Sequence, residues 1–358
     1  MKKNLIFLGI ETSCDETAAS IVMGDKSGNA KILSNVVSSQ IEIHKKFGGV
    51  VPNLASKAHS EMIDIVIKRA IKKSKISFKD IDGVATTSGP GLLVCLMVGM
   101  TAGKTISNFI KKPFYGINHL EGHALSAGIS QKISYPYLLL LISGGHTQFL
   151  SINKFGDYKR IGTTIDDALG EAFDKVAKML GAEIPNGKII EKMSSKGNSK
   201  KYNLPKPILY KSGCNLSFAG LKTAVMLQTK KIKDYKSKCD MAASFQETIN
   251  QILKIKTAKA MEIFLGLHPI LKHKNFVVAG GVASNKSIRN NLLKLSKSKG
   301  FNIIFPPVKL CTDNAAMIAW AGIKNHQNGK RSNINIESTA RWPLDPKAPF
   351  MKGPGLKL

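Results

Sequence analysis

Short, nearly continuous apolar runs alternate with longer amphipathic stretches along this chain, a pattern that predicts strands followed by helices. Residues 5–10 read as a buried strand, and 18–23 as a second one beyond the polar stretch 11–17. Further strands are expected at 84–87, 114–117, 138–142, 148–152, 275–279 and 302–305. Over 54–75 the charged residues Lys57, Glu61, Asp64, Lys68, Lys72 and Lys75 recur every three or four positions, leaving Met62, Ile65, Val66 and Ala70 for a core-facing stripe. Helices are also expected over 92–110, 242–267 and 313–323 and from Lys286, and Asn118 is placed to cap another. Strand, turn of glycines and hydroxyls, strand occurs at 5–23 and again at 138–152, so the two halves share one plan. The Lys/Ser/Asn/Pro-rich stretch 186–213 reads as a surface loop, and the segment after Pro343 as an extended strap. Alternation of strands and helices throughout makes the class α/β.

At 358 residues the chain exceeds what one hydrophobic core usually serves, so two domains or lobes are expected. Its longest apolar runs, 92–102 and 136–142, fall short of the roughly 20 residues a bilayer crossing needs. Lys and Arg number 53 against 24 Asp and Glu, a net charge of +29, most of it in the second half. Such an excess fits a polyanionic partner, whose counterions lysines displace, or a Lys-rich compositional bias; charge alone does not choose. The five cysteines, Cys14, Cys95, Cys214, Cys239 and Cys311, are scattered with no C-x-x-C pair, against a disulfide scaffold or a thiolate zinc site. The N-terminus starts like a signal peptide, but its apolar run of about six residues leads into polar residues without a cleavage pattern. It reads as a first strand, and a reducing, cytoplasmic setting is expected.

Candidate chemistry begins at His119-Leu-Glu-Gly-His123. On a helix, two imidazoles four residues apart share a face and can reach one cation; they can equally be two surface histidines. Glu121 lies about 200° around the helix from His119, unlike the base of an H-E-x-x-H zinc protease, so a proteolytic mechanism is excluded. A third ligand is required. Asp313 in Cys311-Thr-Asp-Asn314 is the first candidate, with a helix N-cap as its competing role, and His146 and Asp15 stand in reserve. Three glycine-rich turns follow strands, at 88–91, 143–147 and 280–285. Together they favour a nucleotide-like ligand, although none matches a P-loop or a full G-x-G-x-x-G fingerprint. Asp166, Asp167, Glu171 and Asp174 cluster beside an apolar stripe of Leu169, Phe173, Val176 and Leu180. They read either as salt pairs, Glu171 with Lys175 and Asp174 with Lys178, or as carboxylates for a ribose.

Taken together, Gly9-Ile-Glu-Thr-Ser-Cys-Asp-Glu-Thr17, Gly48-Gly-Val-Val-Pro52, Asn118-His-Leu-Glu-Gly-His123, Leu141-Ile-Ser-Gly-Gly-His-Thr147, Ile165-Asp-Asp-Ala-Leu-Gly-Glu-Ala-Phe-Asp-Lys175, Ser217-Phe-Ala-Gly-Leu-Lys222, Ala279-Gly-Gly-Val-Ala-Ser-Asn285 and Cys311-Thr-Asp-Asn-Ala-Ala316 resemble the TsaD family. These are the tRNA N6-adenosine threonylcarbamoyltransferases, formerly O-sialoglycoprotein endopeptidases. The resemblance runs in order over nearly the whole chain and is closest to the bacterial and organellar branch.

The resemblance implies an actin/Hsp70-like (ASKHA) fold, two related lobes around a central cleft. The expected division is 1–132 completed by 311–350, then 133–310, with 351–358 a flexible tail. It implies a divalent metal, Fe2+ or Zn2+, on His119, His123 and Asp313. It further implies a threonylcarbamoyl-adenylate site lined by Leu141, Ile142, Ser143, Gly144, Gly145, Asp174, Gly187 and Asn285. The expected reaction is acyl transfer to N6 of the adenosine 3′ of the anticodon, position 37, in tRNAs reading codons that begin with A. Asp15 or Glu16 is the candidate proton acceptor, and the lysines of 186–211 are candidates for the tRNA backbone. A TsaB-type paralogous subunit and a TsaE-type ATPase are the expected partners, with no membrane. The alternatives are an ASKHA small-molecule kinase or ATPase, which would not need the histidine pair, and a non-catalytic tRNA-binding scaffold. One departure stands out: the family usually has Pro-Gly-Gly where this chain has Pro185-Asn-Gly187, so left-handed backbone there is expected to fall on Asn186.

Overall fold

The computed structural model describes residues 4–184 and 186–349; the expected tail 351–358 lies outside the described residues. Two compact units emerge, the first from residues 4–133 with Thr312–Pro346, the second from Ser134–Cys311. In the first unit, β1 (Asn4–Glu11), β2 (Glu16–Asp25) and β3 (Ala30–Ser39) form an antiparallel meander. Strands β4 (Gly83–Gly89) and β5 (Phe114–Asn118) then add in parallel on the other side of β1, giving the order β3-β2-β1-β4-β5. The second unit repeats this plan. β6 (Tyr137–Ile142), β7 (Thr147–Lys154) and β8 (Asp157–Thr163) make the meander, and β9 (Asn275–Ala279) and β10 (Asn302–Ile304) the parallel pair, in the order β10-β9-β6-β7-β8.

The helices of the first unit are α1 (Ile41–His44), α2 (Pro52–Ser74), α3 (Leu93–Phe109), α4 (His119–Ser126) and α10 (Ala315–Gln327); those of the second are α5 (Leu169–Met179), α6 (Gly187–Ser194), α7 (Ala219–Thr229), α8 (Tyr235–Leu267) and α9 (Lys286–Ser298). On one face of the first sheet, Val66, Ile67 and Ala70 of α2 pack with Leu8, Ile10, Ala19, Ile21 and Val84. Met62 and Ile65, expected in that stripe, are only partly buried. Against the other face lies α10, whose alanines permit unusually close approach. A Cβ on Gly9 of β1 would overlap the Ala315 carbonyl oxygen and stand 2.7 Å from the Ala319 nitrogen. In the second unit, the fully buried Leu138, Leu140, Phe149, Phe173, Phe245 and Phe276 form the centre of a larger core.

Three expectations need correction. The stretch 186–213 is not simply a surface loop: it begins with α6, and Ile190, Met193, Leu204 and Leu209 are buried in the core. The buried Lys256 ammonium also donates to the carbonyls of Lys211 and Gly213, pinning the end of the stretch. Asn186 is extended (φ −158°) rather than left-handed, and its side chain caps α6 by accepting from the Ile189 N–H at 3.1 Å. The last helix is capped by Asn314, which accepts from Met317 N–H, so Asp313 is released from that role.

Candidate functional site

The histidine pair owes its geometry to Asn118. That side chain accepts from the N–H groups of Leu120 and Glu121, starting α4 at His119 and setting His123 one turn on. Gly122 faces α10 so closely that a Cβ would lie 2.9 Å from the Ile318 side chain, which lets α4 and the residues leading into α10 meet. Both Nε2 atoms then converge on one carboxylate oxygen: Asp313 Oδ1 lies 3.0 Å from His123 and 3.5 Å from His119. The ligand atoms of all three residues lie within 4.8 Å of one another.

Behind His119 stands a residue that no motif marks for a role. Glu11, the acidic end of an apolar strand, takes His119 Nδ1 on Oε2 at 3.0 Å, with Ser13 Oγ at 3.2 Å from the same nitrogen. Thr87 Oγ and Ser13 N–H hold the Glu11 carboxylate in turn, each at 2.5 Å. A carboxylate bonded to the far nitrogen fixes the ring and its tautomer, leaving Nε2 for a ligand. His123 Nδ1, by contrast, is buried with no hydrogen-bond partner. Burial disfavours charge on His119, but Asp313 and Glu11 outweigh it and hold its pKa well above the ordinary value. Burial likewise opposes ionisation of Asp313, and the two histidines overcome it, holding the carboxyl well below its usual range. Two imidazole nitrogens and one carboxylate oxygen are a donor set suited to Fe2+ or Zn2+, with positions left for substrate.

Asp15 and Glu16 follow on the same chain segment, where burial and the charges of Asp313 and Asp15 raise Glu16 well above the usual carboxylate range. Glu121 turns away from the trio and accepts from Asn325 Nδ2 of α10, as its helical position required. Of the reserve ligands, Asp15 is outside the trio and His146 belongs to the second unit.

The second unit gathers the remaining candidates. Leu141 and Ile142 are fully buried residues of β6, so the exposed part of this segment begins after them. After them, three successive N–H groups at the start of α5 donate to the adjoining turn: Leu169 to Thr147 Oγ, Gly170 to Ser143 O and Glu171 to Gly144 O. Those donors are therefore spent on the protein, which leaves the exposed Gly144–Gly145 backbone as the outward-facing part. Gly280, at φ +96°, packs against the Ile142 carbonyl, a position that a side chain cannot take. Asn285 caps α9 by accepting from Ile288 N–H and donates to Gln246 Oε1, while Gly187 opens α6 against Phe173. Asp174 is half-buried on α5.

The turn at 88–91 differs from the other two. Gly91 packs on Ser13 and Gly89 on the Thr339 backbone, so this turn is filled by protein and is no nucleotide cradle. The acidic cluster also divides. Asp166 binds the start of α7 through Ser217 Oγ and the N–H groups of Phe218 and Ala219. Asp167, wholly buried, pairs with Lys222 and lies 3.7 Å from Lys175, which also binds Glu171 at 2.5 Å. Removing one partner of a buried pair strands the other charge. Lys222→Met should therefore cost about 2–3 kcal/mol, and Asp167→Asn added to it should recover part of that loss, as read by chemical denaturation.

Comparison with known proteins agrees with this layout. The family model described as TsaD, tRNA N6-adenosine threonylcarbamoyltransferase, matches residues 31–320. A protein of that name from Pelagibacter ubique (strain HTCC1062) is 55% identical over 358 residues, the whole of both chains. Its counterpart in Brucella anthropi is 47% identical over 350 residues, 97% of this chain and 98% of its own. Among solved structures, HypF from T. kodakarensis aligns with a TM-score of 0.58 at 13% identity, covering 91% of this chain and 48% of its own. Full-length HypF in its phosphate- and nucleotide-bound form gives 0.55 at 14% identity, covering 91% and 47%. Likeness at that identity establishes the fold alone, which is ASKHA-like.

Proposed function

Because the chain belongs to the TsaD family, the tRNA N6-adenosine threonylcarbamoyltransferases, we propose a residue-level account of the transfer those enzymes perform. The protein is an acyltransferase that acts on tRNA and forms N6-threonylcarbamoyladenosine. In our reading the donor is threonylcarbamoyl-adenylate and the acceptor is the N6 amine of the adenosine at position 37, in tRNAs reading codons that begin with A. A kinase or a non-catalytic scaffold would leave the convergent histidine pair without a purpose.

The observation that carries this reading is the meeting of both Nε2 atoms on Asp313 Oδ1. His119, His123 and Asp313 would hold one divalent ion, Fe2+ in our reading with Zn2+ as the alternative, and Glu11 would orient His119. Bound there, the ion supplies Lewis-acid polarisation of the threonylcarbamoyl carbonyl. The amine nitrogen forms its bond to the carbamoyl carbon, the bond from that carbon to the phosphate oxygen breaks, and AMP departs. Asp15 or Glu16 takes the amine proton; burial and the neighbouring carboxylates raise Glu16 above the usual carboxylate range, which makes its carboxylate the stronger proton acceptor. The adenylate is held in the second unit by the Leu141–Gly145 segment, chiefly its exposed glycines, and by Asp174, Gly187 and Asn285. With Asp166 and Asp167 committed to α7, Asp174 is the carboxylate of that cluster we assign to the ribose.

For the tRNA backbone we propose the lysines around a cavity of about 690 Å³ bordered by α6, α8 and α9, chiefly Lys188, Lys192 and Lys286. Their exposure and the +29 net charge support this. Replacing all three with Gln should reduce the slope of log K against log salt by about 2–3 in a tRNA-binding titration. An unchanged slope would place the tRNA elsewhere. A TsaB-type subunit, a TsaE-type ATPase and a cytoplasmic location are expected from the family and are part of the proposal. Among the described residues no helix is long and apolar enough to cross a membrane.

A further inference from the structure

The Gly48-Gly-Val-Val-Pro52 motif and the histidines beside it have no part in the transfer as described, yet they lead to the segment that carries Asp15 and Glu16. Val51 N–H donates to His44 Nδ1 at 3.4 Å, so His44 carries its proton on Nε2 and offers it to Gln40 Oε1 at 3.2 Å. The Gln40 amide nitrogen lies 3.1 Å from His59 Nδ1, which also meets Thr17 Oγ at 2.7 Å. His59 Nε2 then faces the Cys14 carbonyl at 3.0 Å. A backbone N–H can only donate and a backbone carbonyl can only accept, so the two ends fix the direction of every bond between them. His59 is thereby neutral and protonated on Nε2. His59 and Thr17 are fully buried, and Gln40 and His44 nearly so. Burial keeps the His59 pKa below its ordinary value, in line with the neutral ring.

The relay ends on one of three consecutive carbonyls that are each held by a different element. Leu92 N–H binds Ser13 O at 2.8 Å, His59 binds Cys14 O, and Gln40 N–H binds Asp15 O at 3.0 Å. Two of those donors are backbone groups; His59 supplies the one side chain. We propose that His59 is a positioning residue for the transfer, holding the backbone of Cys14–Glu16 so that the carboxylates of Asp15 and Glu16 keep their place. It touches neither substrate nor ligand atoms and acts through the Cys14 carbonyl. This inference rests on the role assigned above to Asp15 and Glu16.

The test compares His59→Phe, which keeps a planar ring without its donor, with His59→Gln, whose amide can donate to Cys14 O and accept from Thr17 or Gln40. Hydrogen exchange on the full chain should show faster exchange over 13–16 in H59F and near-native exchange in H59Q. In the transfer assay with the expected partner proteins, H59F should lower kcat about 100-fold with the tRNA KM and metal content within twofold of the unsubstituted chain. H59Q should recover to within about tenfold. Native exchange over 13–16 in H59F would overturn the proposal, as would an undiminished kcat or equal kcat losses in both variants. If the unsubstituted chain forms no product, the functional reading fails instead, and the exchange experiment still decides whether His59 holds the segment.

Discussion

His119→Ala should abolish threonylcarbamoyl transfer, lowering the rate at least about 10³-fold while leaving tRNA affinity within twofold. The ring provides one of the three atoms that converge within 4.8 Å, and two ligands cannot hold a divalent ion in an open site. Metal content measured by elemental analysis should fall in step with activity. Glu11→Gln is the graded counterpart. It keeps the shape but weakens the bond to His119 Nδ1, so metal affinity or activity should drop about 10–100-fold, the usual cost of losing an outer partner. A His119→Ala protein that retains both metal and transfer would remove the basis for the site.

The second large effect is on the framework. Gly9→Ala should destabilise the protein by about 3 kcal/mol, at the upper end for an overpacked core, because the new methyl meets backbone rather than a side chain that could yield. The obstructing atoms belong to Ala315 and Ala319 of α10, two residues and more beyond Asp313, so a shift of that helix also moves a ligand. Activity should therefore fall further than the folded fraction does. Gly144→Ala is the control: nothing lies within 4 Å of its added carbon, and its stability to denaturant should be unchanged within about 0.5 kcal/mol.

The central strands of both units, the turn after β6 and the histidine pair on its capped helix were legible because each pattern is local: a run of apolar residues, a glycine pair, an i,i+4 spacing. Two of the edge strands, β3 and β8, were not. β8, written Asp-Tyr-Lys-Arg-Ile-Gly-Thr, is an edge strand with one face in water, and β3 is half exposed, so neither shows a continuous apolar run. With both in place, the repeat seen as strand, turn, strand becomes two five-stranded sheets of one order. Asp313 had two competing roles on local grounds, and only the geometry of the neighbouring Asn314 cap decides between them. Glu11 was missed for a different reason: it stands inside the Gly9–Thr17 motif, but its partners His119 and Thr87 lie 108 and 76 residues away, so the motif gave it no role. The stretch 186–213 reads as a loop because lysines and serines dominate its composition, while four dispersed apolar residues do the anchoring.

Mass spectrometry of tRNA nucleosides tests the central claim most directly. The protein would be incubated with its expected partner proteins, unmodified tRNA and threonylcarbamoyl-adenylate labelled in the carbamoyl carbon. The predicted result is labelled N6-threonylcarbamoyladenosine at position 37, and none with the His119→Ala protein. Donor consumed with no labelled nucleoside in the tRNA, or equal labelling by both proteins, would contradict it.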